Sequence, residues 1–392
     1  MILLSYILGL SLGIMAIAPA IGYSIPLMVN SFHWLFLVIM SGFMGMFLLS
    51  RKLPLLLKIL SVYLFITCFF SAVPYLSFNA YILVVLTLYF FLGFQRCDYK
   101  IILNIVEAAV WLEVILSIMQ LLGKDTLINF DNRIPVFLGT VMQYMRFSSL
   151  LACMAPLLML KNKAYIFLIL VLCIVSKSSS FALAVFGGMA VYFLMTLKEY
   201  RAIIIIALIA CAGGYAFYDN GSWYTEITIG RVAAWSDAIR TWVYDTYQCA
   251  APISKTYMQG TINIKSIFFG RGMDTFLALF PALKQDPCPF LQTHNDWLQY
   301  LWELGLVGFS LITLYLVNLI NKLYRLKEYL LIAGLVCISI NMFFAFPTRI
   351  TQPVLMIICF LAYCQKKIND SEQPYARYSA GLLQGIVEPD NI

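Results

Sequence analysis

Apolar runs of membrane-crossing length alternate with short polar breaks along most of this 392-residue chain. A spanning helix needs about 20 mostly apolar residues. The runs that reach or approach that length are 2–21, 31–49, 55–75, 80–95, 101–122, 145–160, 164–177, 180–197, 202–218, 294–319, 329–346 and 351–365. The pattern predicts an all-α polytopic membrane protein with about twelve transmembrane helices, short runs being free to merge or tilt. One break is long. Residues 219–293 form a polar segment inserted in a membrane domain that otherwise covers 1–365, and 366–392 reads as a short, flexible polar tail. The first run lacks Lys and Arg and is long enough to span, so it reads as an uncleaved helix rather than a signal peptide.

Composition removes whole classes of function. The chain is 62% hydrophobic and 11% charged, whereas soluble domains carry roughly a quarter charged residues. Cytosolic and simple secreted proteins are excluded on that ground. The net charge of +7 is spread in small clusters between apolar runs, which sets membrane orientation and is no nucleic-acid footprint. Arg51, Lys52, Arg96, Lys100, Lys161, Lys163, Lys198, Arg201, Lys322, Arg325, Lys327, Lys366 and Lys367 fall on one side. The larger cluster marks the cytoplasm. Both termini are then cytoplasmic, and 219–293 faces outward. Arg133, Arg146, Lys177, Arg231, Arg240, Arg271 and Arg349 gather on the outer side against that rule. As a set they point to an anion; singly, each also fits a solvated or headgroup-bound cation.

Within the outer segment, 230–242 has helical periodicity, with Trp235, Ile239 and Trp242 at i, i+4 and i+7 and Arg231 one turn before Trp235. Two readings stand: a loop helix capping the bundle, or a helix holding Arg231 against a phosphate at the membrane surface. Gly270-Arg271-Gly272 marks a tight turn or a close backbone approach. Pro287 and Pro289 favour an extended connector over a helix. Cys249 and Cys288 share this segment, either as a disulfide, which an oxidising compartment permits, or as two free thiols. The ten cysteines form no CxxC or Cys/His cluster, so no metal site is expected.

The connector leads into the stretch Thr293-His294-Asn295-Asp296, followed by Leu298, Leu301, Glu303, Gly305 and Gly308. Thr293 and Asp296 are spaced like a capping box, which starts a helix at Thr293 and puts His294 in its first turn. There the helix field favours an anion and opposes imidazolium, leaving a neutral histidine able to accept a proton. The alternative is a histidine that only caps or hydrogen-bonds the loop. Gly305 and Gly308 permit close helix contact. Glu303, like Glu107 and Glu113, is an ionisable group at membrane depth, read as a structural pair or hydrogen bond.

These residues resemble the O-antigen ligase and polymerase superfamily. His294-Asn295 with Leu298, Leu301, Glu303, Gly305 and Gly308 is similar to its HNxxLxxLxExGxxG signature. Arg133 to Thr140 resembles its outer-loop arginine region. Ser176 to Ser180 resembles a Ser-Arg-Ser motif, with Lys177 in the arginine's place. Arg231 with Trp235 and Gly270-Arg271-Gly272 resemble its R-x-x-x-W and G-x-G elements. The likeness covers roughly residues 130–365. It implies a GT-C-like fold with one large periplasmic loop, in a bacterial inner membrane. The implied activity is transfer of a glycan from undecaprenyl diphosphate to an acceptor hydroxyl (lipid A–core, protein or another glycan), with no metal or other cofactor. Under that reading His294 is the base or a phosphate ligand, and Arg231 and Arg133 grip the diphosphate. Arg271, Arg146, Arg349 and Lys177 are further phosphate candidates, and Glu303, Asn295, Trp235, Gly305 and Gly308 support the site. A polymerase extending the carrier-linked glycan fits the same residues. A transporter for lipid-linked glycan is the alternative from another class, disfavoured because the candidate groups cluster at the outer face.

Overall fold

The computed structural model describes residues 2, 5–10, 53–122, 144–176, 178–200, 231–245, 261–283, 293–345, 347–349 and 351–385. The expected spans 31–49 and 202–218, and most of 2–21, lie outside these, as do Arg133, Lys177, Cys249 and Cys288.

The described chain is helical apart from one short strand pair. Its membrane-like helices are α1 (Leu55–Phe69), α2 (Pro74–Phe94), α3 (Tyr99–Leu121), α4 (Tyr144–Lys161), α5 (Tyr165–Ser176) and α6 (Ser179–Thr196). The polar segment supplies α7 (Arg231–Val243), α8 (Ile264–Phe269) and α9 (Phe276–Leu283). Strands β1 (Tyr244–Asp245) and β2 (Thr261–Ile262) pair antiparallel and tie the end of α7 to the start of α8. Then come α10 (Asp296–Arg325), α11 (Tyr329–Phe344), a 3-10 turn (Pro347–Arg349) and α12 (Thr351–Gly385). Among the described residues three helices are long and apolar enough to cross a membrane: Pro74–Phe94, Tyr99–Met119 within α3, and Asp296–Arg325. Leu55–Phe69, Ser148–Lys161, Ser180–Thr196 and Tyr329–Phe344 are shorter apolar helices.

The bundle packs α11 against α6 and α4, with α12 against α2 and α4. Small residues bring α6 and α11 together: a Cβ on Gly188 would lie 2.8 Å from the Ala333 carbonyl oxygen. Several of the polar groups inside have partners, which a lipid surround favours. Asn341 donates to the Ser149 hydroxyl at 3.0 Å, and Glu107 forms an ion pair with Lys161, as expected of a carboxylate at that depth.

From Gln365 to Gly385 the chain is helical rather than the expected flexible tail; residues 386–392 lie outside the described ones. The polar turns of α12 are tied down: Asn369 donates to the Gln95 side chain at 3.1 Å, and Glu372 accepts from Lys322 at 3.0 Å. These contacts to the ends of α2 and α10 hold a helix where composition alone suggested solvated chain.

Candidate functional site

The site is built on α10, which is not one straight helix. Gly305 lies at φ 65°, so the segment is two helices, 296–304 and 306–325, joined at a sharp bend. Trp297 and Phe309 show how sharp. Twelve residues apart, they would be separated by about 18 Å in a straight helix, yet their ring centroids are 6.1 Å apart.

The bend is held by the Gly-x-Gly turn. Carbonyls around the break accept from outside the helix: Trp302 from the Arg271 N–H at 3.2 Å, Glu303 from the Gly272 N–H at 2.9 Å, and Leu304 from the Tyr63 hydroxyl at 2.6 Å. Backbone meets backbone closely enough that a Cβ on Gly305 would lie 2.5 Å from the Gly270 nitrogen. Close approach at both glycine motifs is therefore one and the same contact. The Glu303 side chain completes it. It is 2% exposed, and its two oxygens accept from the Asp274 N–H and the Gln299 amide, each at 3.1 Å. That is the structural role expected of it. Glu303→Gln should point an amide N–H at one of these donors, costing about 1–3 kcal/mol. A lowered thermal midpoint with near-normal turnover per folded molecule is expected; lost turnover in a fully folded variant would give Glu303 a part in the chemistry.

The start of the helix differs from expectation. The cap is Asn295, not Thr293: its side chain accepts from the Leu298 N–H at 3.0 Å, and the helix begins at Asp296. Thr293 instead closes a small turn, its hydroxyl donating to the Asn295 carbonyl at 2.8 Å. His294 sits at the tip of that turn with φ 51°, outside the helix. Left-handed backbone at a non-glycine residue costs on the order of 1–2 kcal/mol, and such positions concentrate at functional sites. Asp296 accepts from the Thr348 N–H at 2.9 Å, which brings the Pro347–Arg349 turn to the same helix end.

Helix α7 forms as its periodicity requires, with one change of face. Ala234, Asp237, Ala238 and Thr241 are buried, whereas Ile239 is 49% exposed. The tryptophans flank the buried stripe because their indole N–H groups are used as ties. Trp235 donates to the Thr293 carbonyl at 2.6 Å, and Trp242 to the Ser266 carbonyl at 3.1 Å. The first tie sets α7 beside the His294 turn. Arg231, one turn before Trp235, is only 4% exposed and adjoins His294 electrostatically. Burial first, and then the Arg231 charge, lower the His294 pKa to about 4. His294 is therefore neutral at physiological pH, held beside a guanidinium that stays charged.

The other predicted groups separate. Arg271 turns back into the protein, donating to the Thr241 carbonyl through Nε at 3.1 Å and through Nη2 at 2.5 Å. Its guanidinium lies 5.5 Å from the Trp302 ring. It serves as a C-terminal cap for α7 rather than as an open phosphate contact. Arg146 and Arg349 are placed by backbone alone, in the first turn of α4 and the last residue of the 3-10 turn. These two elements pack together, at the helix end that carries His294. Trp302, Thr241 and Tyr63 were not singled out by sequence. Trp302 is fully buried, donates to the Thr241 hydroxyl at 3.1 Å and packs edge-on against Phe276, so it nucleates the small core of the polar segment. Its only signal was a tryptophan next to Glu303 in an otherwise apolar turn; Tyr63, an aromatic in an apolar run, offered none.

No family model matches this chain, and no curated protein matches it.

Proposed function

We propose that this chain is a polytopic membrane glycosyltransferase that moves a glycan from a polyprenyl diphosphate to an acceptor hydroxyl, in the manner of an O-antigen ligase. About twelve spans, cytoplasmic termini, a bacterial inner membrane and a periplasmic site belong to this reading. One observation carries it: a partly buried histidine on a left-handed turn, beside a buried arginine, at the N-terminus of the helix that leads into a span. The acceptor oxygen attacks the anomeric carbon. The bond from that carbon to the diphosphate oxygen breaks, and its electron pair leaves with the diphosphate. His294 takes the hydroxyl proton, a task for which a neutral imidazole is needed. Arg231 offsets the charge gathering on the leaving group. Arg349 and Arg146, on neighbouring elements, are further phosphate contacts, and Arg133 and Lys177 are retained from the motif likeness. The polymerase reading uses the same atoms and differs only in the acceptor.

The protonation state can be measured directly. His33→Gln leaves His294 the sole histidine, since the chain has two. Burial and the Arg231 charge both penalise imidazolium, so the neutral form should persist as pH falls until about 4. Carbon-13 histidine NMR in nanodiscs should give a midpoint near that value, rising in Arg231→Gln as one of its two causes is removed. A midpoint at the ordinary 6.5, unmoved by Arg231→Gln, would remove the basis for the histidine's role.

A further inference from the structure

The short helix α8 presents a bare apolar face: Ile264 is 67%, Phe268 47% and Phe269 50% exposed. This would be costly in water, and the level at which α8 sits resolves it. Residues 70–73 link α1 to the start of α2, which packs on α1 and is long and apolar enough to span, so that link lies at a membrane surface. The turn after α8 is bonded to the same level, with the Arg271 carbonyl accepting from the Ala72 N–H at 2.8 Å and the Met273 carbonyl accepting from the Ser77 hydroxyl at 2.9 Å. Below it, the Tyr63 hydroxyl reaches the Phe269 carbonyl at 3.4 Å. Tyr63 lies six residues before the end of α1, about 9 Å down its axis. Phe69, Phe70 and Tyr75 at the link are themselves exposed, at 60%, 60% and 75%. The α8 face thus continues an aromatic rim of the kind found at bilayer interfaces.

We propose that α8 is an interfacial membrane anchor, with Ile264, Phe268 and Phe269 seated among lipid acyl chains beside Phe69, Phe70 and Tyr75. The adjoining backbone is suited to that depth. The N–H groups of Gly270, Arg271 and Gly272 are all bonded within the protein, the condition for non-helical backbone near hydrocarbon. Lys265, exposed on the same helix, has the reach to lift its ammonium to the headgroups. The anchor ends in the Gly-x-Gly turn that holds the α10 bend, so lipid contact bears on the orientation of segment 296–304. This inference is independent of the glycosyltransferase reading.

The test places p-benzoylphenylalanine singly at 264, 268, 269 or 75 in the full chain. Each protein is reconstituted in phosphatidylethanolamine–phosphatidylglycerol liposomes, irradiated and analysed by intact mass. Lipid adducts at 268 and 269 within about threefold of the yield at 75 are expected. Adducts at 75 with none at 268 and 269, or only crosslinks within the protein, would overturn the anchor. No adduct at any position, 75 included, would overturn it too, because Tyr75 belongs to the same face. Position 264 repeats the test at the other end of α8 should 268 or 269 disturb folding.

Discussion

His294→Asn should lower glycan transfer by 10²–10⁴, the range expected when a positioned general base is removed, while leaving the fold intact. Asparagine is the informative replacement. The residue stands at φ 51°, where asparagine is tolerated, whereas alanine would add backbone strain to the loss of the imidazole. Arg231→Lys keeps the charge in its buried place but loses the planar fork that grips two phosphate oxygens. It should cost about 10²–10³, on the scale of removing one preorganised electrostatic contact. The double variant should be scarcely worse than the poorer single one, because in the proposed chemistry both groups serve one transition state. Turnover within a few-fold of the natural chain in either folded variant would contradict the site.

Gly305→Ala should be the most damaging change outside that site, although it adds one methyl group. At φ 65° and ψ −174° the backbone is in a region open essentially to glycine alone, which disfavours alanine by about 1–3 kcal/mol. The new methyl would also meet the Phe268 carbonyl group and, at 2.5 Å, the Gly270 nitrogen, adding about 1–3 kcal/mol of overpacking. A loss of about 2–6 kcal/mol is expected, read as poor recovery from the membrane and a lowered denaturation midpoint in detergent. Unchanged stability would show that the bend does not depend on this residue. The mechanism differs from simple helix packing. Straightening 296–325 would remove the partners of the Arg271 and Gly272 N–H groups and carry the His294 turn away from α7.

These two cases mark where sequence was sufficient and where it was not. Patterns with one dominant cause were legible: the apolar runs, the α7 helix, the supporting role of Glu303, and the close approach at Gly270 and Gly305. The helix start at 293–296 was not, because Thr293, Asn295 and Asp296 can each cap. Which one does depends on the Trp235 bond to the Thr293 carbonyl and the Thr348 bond to Asp296, both far away in sequence. The bend at Gly305 was hidden for a similar reason. Glycine is tolerated in a straight membrane helix, and only the arriving Gly-x-Gly backbone makes a break stable. Arg271 showed as an outer cation, but its acceptors are backbone carbonyls that no residue pattern announces. The tail beyond Gln365 is polar by composition, and its helix rests on tertiary contacts.

The bend also bears on the transporter alternative. Interrupted helices in transporters hold substrates or ions with exposed half-helix ends. Here the carbonyls of Trp302, Glu303 and Leu304 accept from Arg271, Gly272 and Tyr63, so the break serves as a joint between two parts of the protein. In the proposed orientation the end facing outward is the one carrying His294, which favours chemistry at a surface over passage through the middle.

The most direct measurement supplies purified chain in liposomes with undecaprenyl-diphosphate glycan and, in turn, lipid A–core, a protein acceptor and a second carrier-linked glycan. Release of free undecaprenyl diphosphate and the mass of the product are followed together. The proposed chemistry requires one acceptor to gain the glycan in step with diphosphate release, and requires both signals to fall by about 10²-fold or more in the His294→Asn, Arg231→Lys double variant. Carrier-linked glycan that stays intact with every acceptor, or product formation in the double variant within a few-fold of the natural chain, would contradict it.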